Sequence, residues 1–203
     1  VRTFMSGYFP SGLAYEWAKQ DVGRIYRLCH AMDRLQSRWS GKEIRHRKRY
    51  RLKRAARRIR KKIKNLVDEA HKKQAKWIVE QFHTILLPVF ETSGMVRRIH
   101  RRIGSKTARA MLGWAHYRFQ QRLIQKTREY PWCKVILCDE HYTSKTRGNC
   151  GYLHQKLGSN KNFNCPSCGI QMDRDLNAAR NVLLRWLTLN DPFSSSSSFS
   201  SSP

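Results

Sequence analysis

Between Gly41 and Gln81 the chain contains neither glycine nor proline, so nothing in that span interrupts a helix. Leu52, Ala56, Ile59, Ile63, Leu66 and Ala70 recur at steps of four and three, the period of one apolar seam along a long helix. From Lys42 to Lys64 most other positions are cationic: Arg45, Arg47, Lys48, Arg49, Arg51, Lys53, Arg54, Arg57, Arg58, Arg60, Lys61 and Lys62, against Glu43. A solvated face is the plain reading of such a run. Like charges four apart destabilise a bare helix, however, so the pattern calls for something acidic beside it. The expectation is a helix that packs on one stripe and turns Arg45, Arg49, Lys53, Arg57, Arg60 and Lys61 to a phosphate backbone. Such contacts hold nucleic acid without reading its sequence and weaken with salt.

The charge balance of the whole chain agrees. Its 41 Lys and Arg face 14 Asp and Glu, a formal charge of +27, which strains a compact chain unless a polyanion neutralises it. DNA, RNA or both are the expected partners. No run of 18 apolar residues exists, and the opening "VRTFMSGYFPSG" lacks the zones of a signal peptide, so the chain reads as soluble and intracellular with no membrane partner. Runs such as "RHRKRYRLKRAARRIRKK" would also serve as nuclear import signals.

The 203 residues, 40% of them apolar, suffice for one substantial domain and a small appended module. The opening residues read as strand, turn and strand around Pro10, Ser11 and Gly12. A shorter helix is expected from Val22 to about Trp39, so that long basic helices fill 22–81. "TILLPVF" (84–90) and "KVILC" (134–138) have strand length, and Pro88 sets the first at an edge or at its own end. Between them lie Arg97, Arg98, His100, Arg101 and Arg102, of which the arginines join the expected phosphate contacts. Ser105 then reads as the N-cap of a helix with apolar Ala108, Met111, Leu112, Ala115, Phe119 and Leu123. Trp114 and Tyr117 read as core residues more readily than as stacking platforms for bases. Strands alternating with long helices imply a mixed α/β fold. The last helix spans 173–189, and the serine-rich tail 190–203 has nothing to bury and is expected to be disordered.

Six cysteines are too few and too scattered for a disulfide scaffold in a chain of this length. Cys29, Cys133 and Cys138 read as ordinary core or strand residues. Cys165 and Cys168, in "CPSCG", have the two-residue spacing and trailing glycine of a zinc knuckle. Upstream, Cys150-Gly151 fits the end of a second knuckle, but Arg147 stands where its first thiolate belongs. The expected metal ligands are therefore Cys150, Cys165 and Cys168, with His154, His141 or water in fourth place, or metal binding lost.

"HYTSKT", "NCG", "FNCPSCG" and "MDRDLNAARNVL", in that order, resemble the carboxy-terminal half of TnpB proteins and their eukaryotic and viral relatives, the Fanzors. "PVFETSGM" and "SKTARAMLGWAHYRF" also look like Fanzor segments, so the resemblance spans roughly 1–187. It implies a partial RuvC-like nuclease domain of ribonuclease-H fold over 1–140, a zinc ribbon inserted at 141–172, and a final RuvC helix at 173–189. It further implies an RNA-guided DNA endonuclease that hydrolyses phosphodiesters at magnesium ions held by three acids. On the matching motif the third acid is Asp175, and Asp173 reads as a helix cap. The second, by the resemblance to Fanzors, is the glutamate just before "YTSKT", Glu140 rather than Glu91; its place at the end of the strand "VILCDE" fits, with a solvated strand-end acid as the plain alternative. The resemblance puts the first acid in an Asp-Pro-Gly turn just before Val1, and neither Asp21 nor Asp33 has the context to replace it.

Three readings stand. One is a nucleic-acid-binding fragment of a transposon-derived nuclease, weak or inactive in cleavage. A second is an active nuclease whose amino-terminal part is missing from the sequence. A third is a non-catalytic, basic RNA-binding protein with a zinc ribbon as its clip.

Overall fold

A computed structural model describes residues 3–41, 43–89, 94, 96–97, 103–139, 142–155, 157–158 and 160–190. Two compact units emerge. The first comprises Val1–Met5, Glu16–His83 and Glu91–Lys134, and the second Ser6–Tyr15, Thr84–Phe90 and Val135–Pro203.

The opening hairpin pairs β1 (Met5–Tyr8) with β2 (Ala14–Trp17). Its turn closes through Gly12 N–H to Phe9 O at 2.9 Å, with Gly12 at φ +88°, a conformation a side chain would resist. In the first unit α1 (Lys19–Trp39) packs along α2 (His46–Gln81), and α2 packs on α4 (His116–Thr127). The expected seam is present: Ala56 is buried, and Leu52, Ile59, Ile63, Leu66 and Ala70 are half-buried. Burial deepens toward the C-terminal half of α2, where Val67, His71, Gln74, Ala75, Ile78 and Val79 are all enclosed. Against them lies an aromatic group. Phe4 stacks on Trp114 at 4.8 Å and on His116 at 5.0 Å, and meets Phe119 edge-on at 5.2 Å. Trp114 is therefore a core residue, whereas Tyr117 stays exposed. Asp68 ties the helices electrostatically, 3.3 Å from Arg122 and 3.6 Å from Arg118.

Two expectations shift. The helix expected from Ser105 as N-cap begins with Ser105 inside it, capped by Gly104, and it is not continuous. It ends as α3 (Ser105–Trp114), and α4 restarts after Ala115, which sits in the left-handed region at φ 48°, ψ 58°. The turn at Ala115 lets Trp114 and Phe119 meet Phe4 from two directions, which one straight helix would not do.

In the second unit β3 (Thr84–Pro88) pairs with β4 (Lys134–Cys138). Lys134 N–H donates to His83 O at one end and Val89 N–H to Cys138 O at the other, so the strands run in the same direction. A parallel pair needs a long crossover, which the chain carrying α3 and α4 provides. β3 ends at Pro88, the residue expected to end it or to set it at an edge, although Val89 N–H still reaches Cys138 O. Further on, β5 (Asn162–Asn164) and β6 (Gln171–Asp173) form an antiparallel hairpin that leads directly into α5 (Arg174–Leu189), which packs against β3, β5 and β6. The fold is mixed α/β, with its sheets two-stranded among the described residues. No helix among them is long and apolar enough to cross a membrane.

Candidate functional site

The segment 142–175 is built from two knuckles of matching backbone. In the first, Arg147 N–H donates to Tyr152 O and Gly151 N–H to Arg147 O, both at 2.8 Å. In the second, Cys165 N–H donates to Ile170 O at 3.0 Å and Gly169 N–H to Cys165 O at 2.9 Å. Both trailing glycines take positive φ, +72° at Gly151 and +68° at Gly169, the conformation expected of them. An isolated bridge between Thr146 and Leu153 closes the first knuckle, and the β5–β6 hairpin closes the second.

This geometry gathers Cys150, Cys165 and Cys168. Their sulfurs all lie within 4.8 Å of one another, and Cys150 Sγ is 3.5 Å from Cys165 Sγ. A tetrahedral ion with thiolates at about 2.3 Å places its sulfurs roughly 3.8 Å apart, so the three donors fit a metal ion. No other His, Cys, Asp or Glu among the described residues joins them. His154 instead packs at a steep angle against Phe163, the ring centroids 5.8 Å apart, and His141 lies outside the described residues. Burial raises the Cys165 thiol. The Cys168 thiol is lowered to about 7, first by the Ile170 backbone, then by Cys165, Arg147 and Cys150. Arg147 itself is 5% exposed.

Asp175 stands in the first turn of α5. Asp173 caps that helix, its Oδ1 accepting from Asp175 N–H at 2.8 Å and Leu176 N–H at 3.2 Å, as its position predicts. One oxygen of Asp175 is 3.2 Å from Lys161 Nζ and the other 3.6 Å from Arg174 Nε. These are part-exposed pairs, each worth up to about 1 kcal/mol. Glu140 and Glu91 lie outside the described residues; Asp139 pairs with Arg185 of α5 at 3.3 Å.

Sequence reasoning did not find the clip that joins the first knuckle to α5. Asn177 and Asn181, one turn apart, are buried and reach back to the preceding loop. Asn177 Nδ2 donates to Thr146 O at 2.7 Å, and Asn181 Nδ2 to Thr143 O at 2.7 Å and Thr146 O at 2.6 Å. Gly148 rests so close to α5 that an added Cβ would collide with Asn181 Oδ1. The available signal was a pair of weak helix formers at i and i+4, set among the apolar positions of that helix.

On α2, Arg45, Lys53, Arg57, Arg60 and Lys61 are exposed and Arg49 is half-buried, its guanidinium donating to Gly41 O at 3.1 Å. A shallow depression is lined by Tyr50, Arg54, Arg57, Arg58 and Lys61, so an exposed ring lies among four cations. Arg97 is exposed, while Arg98, Arg101 and Arg102 lie outside the described residues.

Comparison with known proteins gives these features a family. The model described as Cas12f1-like, TNB domain, matches residues 116–182, which include both knuckles, Asp175 and the asparagine clip. A protein of Paramecium bursaria Chlorella virus 1 named as a transposase is 41% identical over 135 residues, 65% of this chain and 29% of the relative. A TnpB-like protein of Acanthamoeba polyphaga mimivirus is 31% identical over 132 residues, 65% of this chain and 25% of the relative. The chain thus spans under a third of the length of these two relatives. Among solved structures, the Cas12f1-sgRNA-target DNA complex matches 84% of this chain and 43% of that one, with TM-score 0.55 and 21% identity, a likeness of fold. Through the family match over 116–182 and these relatives named as a transposase and as TnpB-like, the chain is similar to proteins of the TnpB family.

Proposed function

We propose that these residues are the nucleic-acid-binding part of a transposon-derived, RNA-guided DNA endonuclease. In this reading 1–140 form part of a ribonuclease-H-like RuvC domain, 141–172 its inserted zinc ribbon, and 173–189 its last helix. The observation that carries the reading is the exposed cationic length of α2, with Tyr50 set among Arg54, Arg57, Arg58 and Lys61. Guanidinium and ammonium groups along a rigid rod engage successive phosphates, and an exposed ring offers a base a stacking face. The structural relative Cas12f1, solved with sgRNA and target DNA, supports the same class of partner.

Cys150, Cys165 and Cys168 would hold a structural zinc ion, whose sulfur donors suit it. Asp175, with Glu140, would hold magnesium. The chemistry a bound magnesium supplies is activation of water and stabilisation of the leaving oxygen in phosphodiester cleavage. Lys161 and Arg174 would have to yield Asp175 to the cation, at a cost small beside the attraction of a divalent charge. Two of the three acids the reading requires lie in these 203 residues, so cleavage by them alone should be weak or nil.

Two measurements test this. Replacing Arg54, Arg57, Arg58 and Lys61 with Gln should reduce the slope of log affinity for duplex DNA against log salt by up to about 0.9 per residue. An unchanged slope would remove α2 from the interface. With supercoiled plasmid and magnesium, lasting nicking by the 203-residue chain that disappears in Asp175→Ala would overturn the expectation of weak cleavage.

A further inference from the structure

Arg147 occupies the backbone position in the first knuckle that Cys165 occupies in the second. Each donates its N–H to the carbonyl five residues on and accepts from the glycine four residues on, and that glycine has positive φ in both knuckles. The first knuckle therefore shares the backbone shape of the second, with a guanidinium at the position that holds a thiol there. That guanidinium is directed inward: Arg147 is 5% exposed, stands close enough to help lower the Cys168 thiol, and leaves its buried Nε without a hydrogen-bond partner among the described residues. A guanidinium has no lone pair to give a metal and does not lose its proton in a protein, so it cannot be the fourth ligand. Its charge nonetheless suits the place. Three thiolates and a divalent cation carry one net negative charge, which the guanidinium cancels, and its unused donor is available to an anion.

Resting on the zinc-ribbon reading above, we propose that Arg147 makes this a three-thiolate zinc site with an exchangeable fourth position. That position takes a small monoanion from solution, held between the metal and the guanidinium. Most structural zinc sites are closed by four protein ligands, and an open position is otherwise the mark of sites that exchange ligands.

Cobalt(II) in place of zinc makes the site visible, because its d–d and thiolate charge-transfer bands report ligand number and type. The reduced full chain should bind one cobalt per molecule, and thiocyanate should shift the d–d bands saturably. Arg147→Cys should show four-thiolate bands that ignore thiocyanate, and should hold zinc about 100-fold or more tightly than the native chain. Arg147→Ala, which leaves the three thiols in place, should still bind cobalt but respond to thiocyanate only at roughly tenfold higher concentration. Native bands that bind cobalt yet ignore thiocyanate would overturn the proposal, including the case in which His141→Ala then makes them responsive. An Arg147→Ala response equal to the native one would overturn the role of the guanidinium. Failure of the native chain to bind cobalt or zinc at all would remove the ribbon reading as well, so the two failures are distinguishable.

Discussion

In the first unit Val67, Val79 and Leu123 are almost wholly sealed from solvent and Trp114 stacks on Phe4, whereas around the cysteines the buried apolar cluster is Leu157, Phe163 and Cys165, with Met172 packed beside it. At about 1.5–3 kcal/mol for each fully buried large side chain, the first has ample apolar drive and the second little. Directed contacts make up the difference: two asparagines on carbonyl oxygens, an aspartate cap, and three thiols converging on one point. The comparison teaches that the two units should fail under different insults. The first should be sensitive to lost volume and buried charge, the second to lost donors and lost metal.

The largest expected effect tests the aromatic core. Trp114→Ala removes a fully buried ring that stacks on Phe4, and should cost about 3–5 kcal/mol in urea unfolding followed by helix content. The cobalt bands of the cysteine cluster should survive in the same variant at low denaturant. If the bands vanish together with the helices, the two units unfold as one and the contrast between them fails.

A somewhat smaller effect comes from acid. Burial holds His71 near 4, helped by the charges of Arg122 and Arg118, and burial holds His116 near 4 as well. Their ordinary value is 6.5, so below that pH the unfolded chain takes up protons that the folded one refuses. Stability is therefore complete above pH 6.5 and is lost as the pH falls toward 4, by up to about 3 kcal/mol for each histidine. His71→Phe, which keeps an aromatic ring against Phe4 and Phe119, should remove about half of that slope when the midpoint of urea unfolding is followed from pH 7 to 4. A slope unaltered by the substitution would mean that the histidines do not set the acid limit of the first unit.

How legible each unit was in the sequence follows from how each is held. The seam of α2 could be read because apolar burial imposes a period, and Leu52 to Ala70 display it. The break at Ala115 was masked, because the apolar spacing continues through to Leu123 and Gly113, the nearest weak helix former, stands two residues before the turn. The buried His71 and Gln74 were equally hidden, since polar residues do not announce a core. In the second unit the thiols were legible from spacing alone, as was the anomaly of Arg147. The pairing of Lys161 with Asp175 depends on the register of a three-residue hairpin, which the sequence does not state. Asn177 and Asn181 fell inside a recognisable motif, yet the motif says nothing of which carbonyls they meet.

That asparagine clip gives the smallest effect and the sharpest test of the comparison. Thr146 O accepts from both Asn177 and Asn181, whereas the Thr143 carbonyl takes the Asn181 amide. Asn181→Ala should therefore cost more than Asn177→Ala, about 1–3 kcal/mol, because only the former strips Thr143 of that donor while Thr146 keeps one. Asn181→Asp should be worse still, since a carboxylate would face the same two carbonyl oxygens with like polarity. Loosening this loop also loosens Arg147 and, three residues further, Cys150, so metal affinity should fall about 10- to 100-fold, the usual consequence of losing support behind a ligand. Helix content and the midpoint of the first unit should not move. If Asn181→Ala lowers that midpoint as much as it weakens metal binding, the clip supports the whole chain, and the division between an apolar unit and a donor-held one does not describe how this protein resists unfolding.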